Sequence, residues 1–196
     1  MNSQLLFPYG DWNRKTAAQI VEIIHDTGLG PNRYSRSIGG RRAAAGLSNG
    51  FAASGVIRVF IGHSGGGVAA AHASRILLQD NVHDPRHYIV QIGSPKCALI
   101  PEDRTQALYI RFGEHGRRTD PVTRMGSWGG WEKAGRGWRW NSEKYAPAYR
   151  VSLSLIGGHA DYFRRNDPFV SEDGKSNLDK TTDCIGLWLL EKINAV

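Results

Sequence analysis

Cysteine is scarce in this chain: Cys97 and Cys184 are the only two in 196 residues. Two thiols cannot build the disulfide framework of a small stapled domain. Long apolar runs are missing too, since no segment approaches the ~18 consecutive apolar residues of a membrane span. Residues 1–12 lack a cationic stretch followed by a long apolar one, so export by the usual signal is not expected. Stable membrane insertion is not expected either, and cytoplasmic residence is the expectation. There is no continuous basic stripe and no aromatic-interleaved RNA motif. The basic residues are scattered in pairs such as Arg41-Arg42, Arg117-Arg118 and Arg164-Arg165. The net charge of +7 and pI near 9.6 are therefore read as a solvated surface, with no nucleic-acid partner expected. Internal repeats and low-complexity segments are also lacking.

What remains suits one globular domain over residues 1–196, with 40% hydrophobic, 22% charged and 10% aromatic residues, far from a disordered composition. Glycine is the exception to an ordinary composition. The 24 glycines cluster at Gly39-Gly40, Gly65-Gly66-Gly67, Gly129-Gly130 and Gly157-Gly158, and such clusters mark tight turns or places where a ligand meets the main chain.

Residues 4–8 read as a short buried strand leaving through the turn Tyr9-Gly10-Asp11-Trp12. Ala17, Ile20, Val21 and Ile24 recur at helical spacing, with Gly28 placed to end the helix. Residues 32–50 read as an irregular connection plus a short helix. The β-branched and aromatic run from Val56 to Ile61 predicts a central strand buried on both faces. A small-residue helix carrying Ala69, Ala73, Ile76 and Leu77 follows it. Further strands are predicted at residues 88–92, 107–112 and 149–156, and a last helix at 181–193. Strands alternating with helices give an α/β fold with a mostly parallel sheet and helices on both faces.

The first strand runs into Gly62-His63-Ser64-Gly65-Gly66, a G-x-S-x-G match in which a serine sits on a sharp turn between strand and helix. A serine hydroxyl needs a base to take its proton. Among seven histidines, His159 has the fitting place, on a loop past a strand and the turn Gly157-Gly158. His63 and His72 are read as packing or surface residues. The base needs a carboxylate to hold its tautomer, and Asp120, between Ser64 and His159 in chain order, is the first choice, with Asp103 and Glu114 as rivals. Gly65 supplies one backbone donor for an oxyanion, and Asp11 is the second candidate unless it is only a helix N-cap.

Together Gly62-His63-Ser64-Gly65-Gly66-Gly67, Ile92-Gly93-Ser94-Pro95, Asp120-Pro121-Val122 and Gly158-His159-Ala160-Asp161-Tyr162-Phe163 resemble the class 3 lipase branch of the α/β-hydrolases over residues 56–163. The resemblance implies a minimal α/β-hydrolase with Ser64, Asp120 and His159 as triad, acting on lipid or other carboxylic esters without metal or organic cofactor. Two departures stand out. Met1 lies close to the strand that would bear the oxyanion loop, so the earlier strands of the full fold are not expected, and Tyr9-Gly10 stands where related enzymes often have His-Gly.

The stretch 126–145 carries Trp128, Trp131, Trp138, Trp140 and Tyr145. It reads first as a hairpin whose tryptophans cover the core, and second as a substrate wall or lid in which Trp128 and Trp131 touch the acyl group. The functional expectation is a serine esterase working through an acyl-enzyme on a small-molecule ester or lipid. The alternatives are a thioesterase or amidase with the same triad, and a catalytically silent binding module.

Overall fold

The computed structural model describes residues 3–11, 13–47, 56–78, 86–113 and 120–194. Its centre is a parallel sheet of four strands, β1 (Arg58–His63), β2 (His87–Ile92), β3 (Ala107–Phe112) and β6 (Tyr149–Leu153), in the order β1-β2-β3-β6. The register pairs Ile61 with Val90, Ile92 with Ile110, and Ile110 with Val151. Residues alternate between the two faces of a strand, and both faces are used. Tyr88, Val90, Ile92, Leu108 and Ile110 meet Ile185 and Trp188 of α5 (Asn177–Asn194) on one side. Ile89 and Ala107 meet Val68 and Ala71 of α3 (Gly65–Leu77) on the other. α1 (Thr16–Thr27) and α2 (Ile38–Leu47) form an outer layer, and α4 (Pro101–Arg104) is a single turn between β2 and β3. Small residues let α2 approach α3 closely: Ala43 and Ala44 pack on Ala73. This is the α/β architecture that the alternation of strand and helix patterns implies. No helix among the described residues is long and apolar enough to cross a membrane.

Three local expectations are corrected. Residues 4–8 form no strand. They run along the outer helices instead, where Gln4 donates to the Gly46 carbonyl at 3.0 Å and Leu6 joins the Ala43, Ala44 and Ala73 cluster. Three apolar residues ended by a proline are a weak strand signal, and packing on a helix half-buries Leu6 while Leu5 and Phe7 stay exposed. β1 is not central: among the described strands it stands at one end of the sheet, with Val59 39% and Ile61 54% exposed. Both lie on the face that α5 covers over β2 and β3 but not over β1. The tryptophans of the β4 (Gly130–Ala134) and β5 (Gly137–Asn141) hairpin do not cover the core. Trp128 is buried against Tyr109, whereas Trp131 and Trp138 are 59% and 70% exposed.

Gly28 does end α1, yet the apolar stripe that located the helix stays at the surface, with Ile20, Val21 and Ile24 exposed. The buried residues of its last turn are Asp26 and Thr27, and Asp26 is the charged one. That carboxylate accepts from Tyr9 Oη at 2.8 Å, Ser37 Oγ at 2.6 Å and the amides of Ile38 and Gly39 at 2.9 and 2.8 Å. It closes the amino end of α2 and ties it to the loop at Tyr9. Burial alone would raise its pKa, but hydrogen bonds led by that from Ser37 bring it below the ordinary value.

His72 of α3, beside Gly40 of α2, is buried with Nδ1 unpartnered, and burial lowers its pKa from 6.5 to about 4. The folded chain keeps this imidazole neutral while the unfolded chain protonates it below pH 6.5. Its contribution to stability is thus present above pH 6.5 and is lost as the pH falls to about 4, at up to about 1.4 kcal/mol per pH unit. Urea unfolding of wild type and His72→Gln at neutral and mildly acid pH should show a shallower acid loss in the variant. Equal slopes would mean that other groups carry the acid sensitivity.

Candidate active site

Ser64 joins β1 to α3 with φ of 55° and ψ of −134°, a conformation that non-glycine residues adopt only under constraint. Its amide donates to the Ile92 carbonyl at 2.9 Å, which locks the turn to the neighbouring strand. The turn also needs bare backbone at Gly62. A Cβ on Gly62 would fall 2.1 Å from the Gly66 carbonyl oxygen, and one on Gly65 would fall 2.5 Å from Ile23. Gly62 is therefore a steric requirement of the bend, whereas a Cβ on Gly66 would meet open space and one on Gly65 the end of the Ile23 side chain, and the bend lifts the serine side chain above the C-terminal end of the sheet.

Two other loops from the same end of the sheet converge on Ser64. The loop after β6 brings His159, whose Nε2 accepts from Ser64 Oγ at 2.9 Å. The turn after β3 brings Asp120, whose Oδ2 accepts from His159 Nδ1 at 2.8 Å. Donation from Nδ1 leaves Nε2 free as an acceptor, the tautomer a general base requires. All three expected residues are thus brought together. Asp103, one rival acid, is instead buried on α4 beside His87 and Arg75, at 3.0 and 3.4 Å. Glu114 lies outside the described residues.

Asp120 is almost wholly buried. Its Oδ2 also accepts from Tyr162 Oη at 2.9 Å, and its Oδ1 from the Val122 amide at the same distance. Burial would raise its pKa, but the hydrogen bond from His159, the charge of His159 and the bond from Tyr162 together hold it below the ordinary carboxylate value. Tyr162 in turn accepts from the Phe112 amide at 2.7 Å, so its hydroxyl links the end of β3 to the acid. Burial first, and Asp120 second, keep this phenol protonated. The sequence pattern around His159 contains Tyr162 but gives no sign of this task, because the partner is 42 residues away.

The candidate oxyanion donors are set by the amino end of α3 and by the loop at Tyr9. Gly65 begins α3 directly after the serine, where the first amides of a helix have no intrahelical acceptor. The Tyr9 ring packs beside Gly65 and its hydroxyl is tied to Asp26. Two guanidiniums brace the same loop: Arg14 donates to the Tyr9 carbonyl at 2.7 Å and Arg42 to that of Pro8 at 3.3 Å. Both also bind Glu22, and their hydrogen bonds, Arg14's the larger effect, bring its carboxyl down to about 2. Asp11 does not cap α1, whose N-cap is Lys15. Its side chain accepts from the Asn13 amide at 3.0 Å and its carbonyl from Arg14 N at 3.2 Å.

Trp131 stands edge-on to Trp140 at 5.7 Å. Trp140 also lines a cleft of about 480 Å³ with Ile24, Leu29, Pro31 and Tyr145. Trp128, under Lys96 and Arg150, is part of the packing around Tyr109. Among the described residues no group of three or more His, Cys, Asp or Glu side chains is arranged to hold a metal ion. No family model, no curated protein and no solved structure matches this chain.

Proposed function

We propose that the chain is a serine hydrolase of the α/β-hydrolase type, resembling class 3 lipases, that cleaves carboxylic esters through an acyl-enzyme. The observation that carries this reading is the continuous hydrogen-bond chain from Asp120 through His159 to Ser64, which ends on a serine held at positive φ. His159 Nε2 takes the hydroxyl proton as Ser64 Oγ attacks the ester carbonyl. The oxyanion is met by the Gly65 amide, with Asp11 as the second donor. The imidazolium then returns the proton to the leaving alcohol, and the acyl-enzyme forms. Water, activated by the same imidazole, attacks the acyl group and frees Ser64. Asp120 stays ionised throughout and compensates the charge on His159.

A fluorophosphonate probe tests the reading directly. It should add one phosphonyl group to the intact chain, located on Ser64 by peptide mass spectrometry, and a denatured control should not react. Absence of labelling in the folded chain would favour a silent binding module. Matched ester, thioester and amide substrates then separate the reaction classes, and a preference for thioester or amide would move the substrate assignment without moving the triad.

Tyr162→Phe provides a narrower check. The change leaves the ring in place but removes one of the two bonds to Asp120 Oδ2. Hydrogen bonds to charged groups contribute about 1.5–3 kcal/mol. The expected result is a fall in kcat of about tenfold with KM within twofold of wild type. Unchanged kcat in the folded variant would limit Tyr162 to core packing.

A further inference from the structure

His63 lies between the motif's first glycine and the serine, a place where the sequence suggests nothing beyond packing. Its ring faces the ring of His159 with centroids 4.9 Å apart and planes at 25°. Its Nε2–H donates to the main-chain carbonyl of the same His159 at 3.0 Å. Tyr162 at 5.4 Å and Phe163 edge-on at 5.7 Å complete the surround. One side chain, covalently next to the nucleophile, thus holds the base twice, by its backbone and by its ring.

We infer that His63 is a positioning residue for the general base, fixing the His159 loop to the nucleophile turn and supporting the imidazole face opposite to solvent as it takes the serine proton. The inference rests on the proposed roles of Ser64, His159 and Asp120. The loop has need of such a tie. It leaves β6 through Gly157 at φ 103° followed by Gly158 and closes on itself through Asp161, whose Oδ2 accepts from the Gly158 amide at 2.9 Å and whose amide donates to the Gly158 carbonyl at 3.1 Å, bonds that pass residue 159 by. The remaining ties lie on either side of the histidine: Asn177 Nδ2 donates to the carbonyls of Ile156 and Asp161 at 2.7 and 2.9 Å, and Thr181 Oγ1 to that of Tyr162 at 3.0 Å. Among the described side chains, only His63 donates to the main chain of residue 159 itself.

The protonation state fits the task. A carbonyl only accepts, so His63 must carry its proton on Nε2. Burial first, and the neighbouring His159 second, lower its pKa, so it stays neutral while His159 gains charge. The titratable groups that face it are His159 and Tyr162 from the loop after β6 and Asp120 from the turn after β3.

Three substitutions separate the two contacts. His63→Gln keeps a donor near the Nε2 position but loses the ring, His63→Phe keeps the ring but loses the donor, and His63→Ala loses both. Turnover of p-nitrophenyl butyrate and the rate of fluorophosphonate labelling are measured for each, with thermal unfolding as a control. His63→Ala should lose about tenfold or more in kcat and in labelling rate, the loss expected when a well-made hydrogen bond is removed, with KM within twofold. His63→Gln and His63→Phe should each recover part of that loss. A loss confined to KM, or losses in all three variants that follow only their unfolding temperatures, would overturn the inference. A wild-type chain that does not label would instead overturn the hydrolase reading. The positioning claim is then still decided by proton NMR: the low-field resonance of the His159 Nδ1–H bonded to Asp120 should be sharp in wild type and broadened or lost in His63→Ala. An unchanged resonance would overturn the claim.

Discussion

Ser64→Ala should abolish hydrolysis of short p-nitrophenyl esters, with kcat reduced on the order of 10⁶-fold, the size of loss found when a triad nucleophile is removed. The variant should stay folded. Alanine keeps the Cβ that the turn already accommodates at φ 55°, and the amide bond to the Ile92 carbonyl that locks the turn is untouched. Among the described residues the interaction lost is the hydroxyl donation to His159 Nε2, which is part-buried and accessible to water. Any residual rate would come from the amides at the amino end of α3, which polarise a bound carbonyl without a nucleophile. The comparison is made at neutral pH after circular dichroism has matched the variant to wild type. Turnover close to wild type in the folded variant would remove Ser64 from the mechanism and leave the hydrogen-bond chain as a structural feature.

The residues of this chain were legible to different degrees, for physical reasons. β3 was read at its observed limits because its first four residues, all buried, leave an apolar and aromatic run that Phe112 extends past the exposed Arg111. The nucleophile turn was legible because its geometry forbids a side chain at Gly62, where a Cβ would meet the Gly66 backbone, so part of the steric demand is written directly into composition. Asp120 and His159 were found from chain order and from their places past strand ends, which a parallel sheet brings to one edge.

Burial was less legible than secondary structure. The spacing of Ile20, Val21 and Ile24 located α1, but the helix lies in the outer layer and turns Asp26 inward. No local signal tells a buried carboxylate from an exposed one, since its five partners come from Tyr9, His25, Ser37, Ile38 and Gly39. The same limit hid Val59 and Ile61: their apolar character fits a central strand, and only the reach of α5 decides that they are exposed. His63 and Tyr162 were missed because their roles exist only through contacts 96 and 42 residues distant in sequence. Long-range pairing of this kind is what places the base and the acid, so the positioning residues are the part of the site that periodicity and motif cannot supply.

Asp120→Asn should retain the fold yet lower kcat by up to ~10⁴-fold, because the amide favours the wrong histidine tautomer. The surroundings of the carboxylate decide how the amide would sit. Oδ1 accepts from the Val122 amide at 2.9 Å, so an NH₂ group there would set donor against donor. The amide oxygen therefore takes that place and the NH₂ takes the place of Oδ2, facing His159 Nδ1 and Tyr162 Oη. His159 can then satisfy the contact only by accepting at Nδ1, which puts its proton on Nε2, against Ser64. In that tautomer the imidazole cannot receive the serine proton. Asp103→Asn serves as the control. Its carboxylate meets His87 and Arg75 rather than His159, so it should lower stability through the buried Arg75 while leaving kcat near wild type. A large loss of kcat in Asp103→Asn with little change in Asp120→Asn would move the acid elsewhere and leave Ser64 and His159 in place.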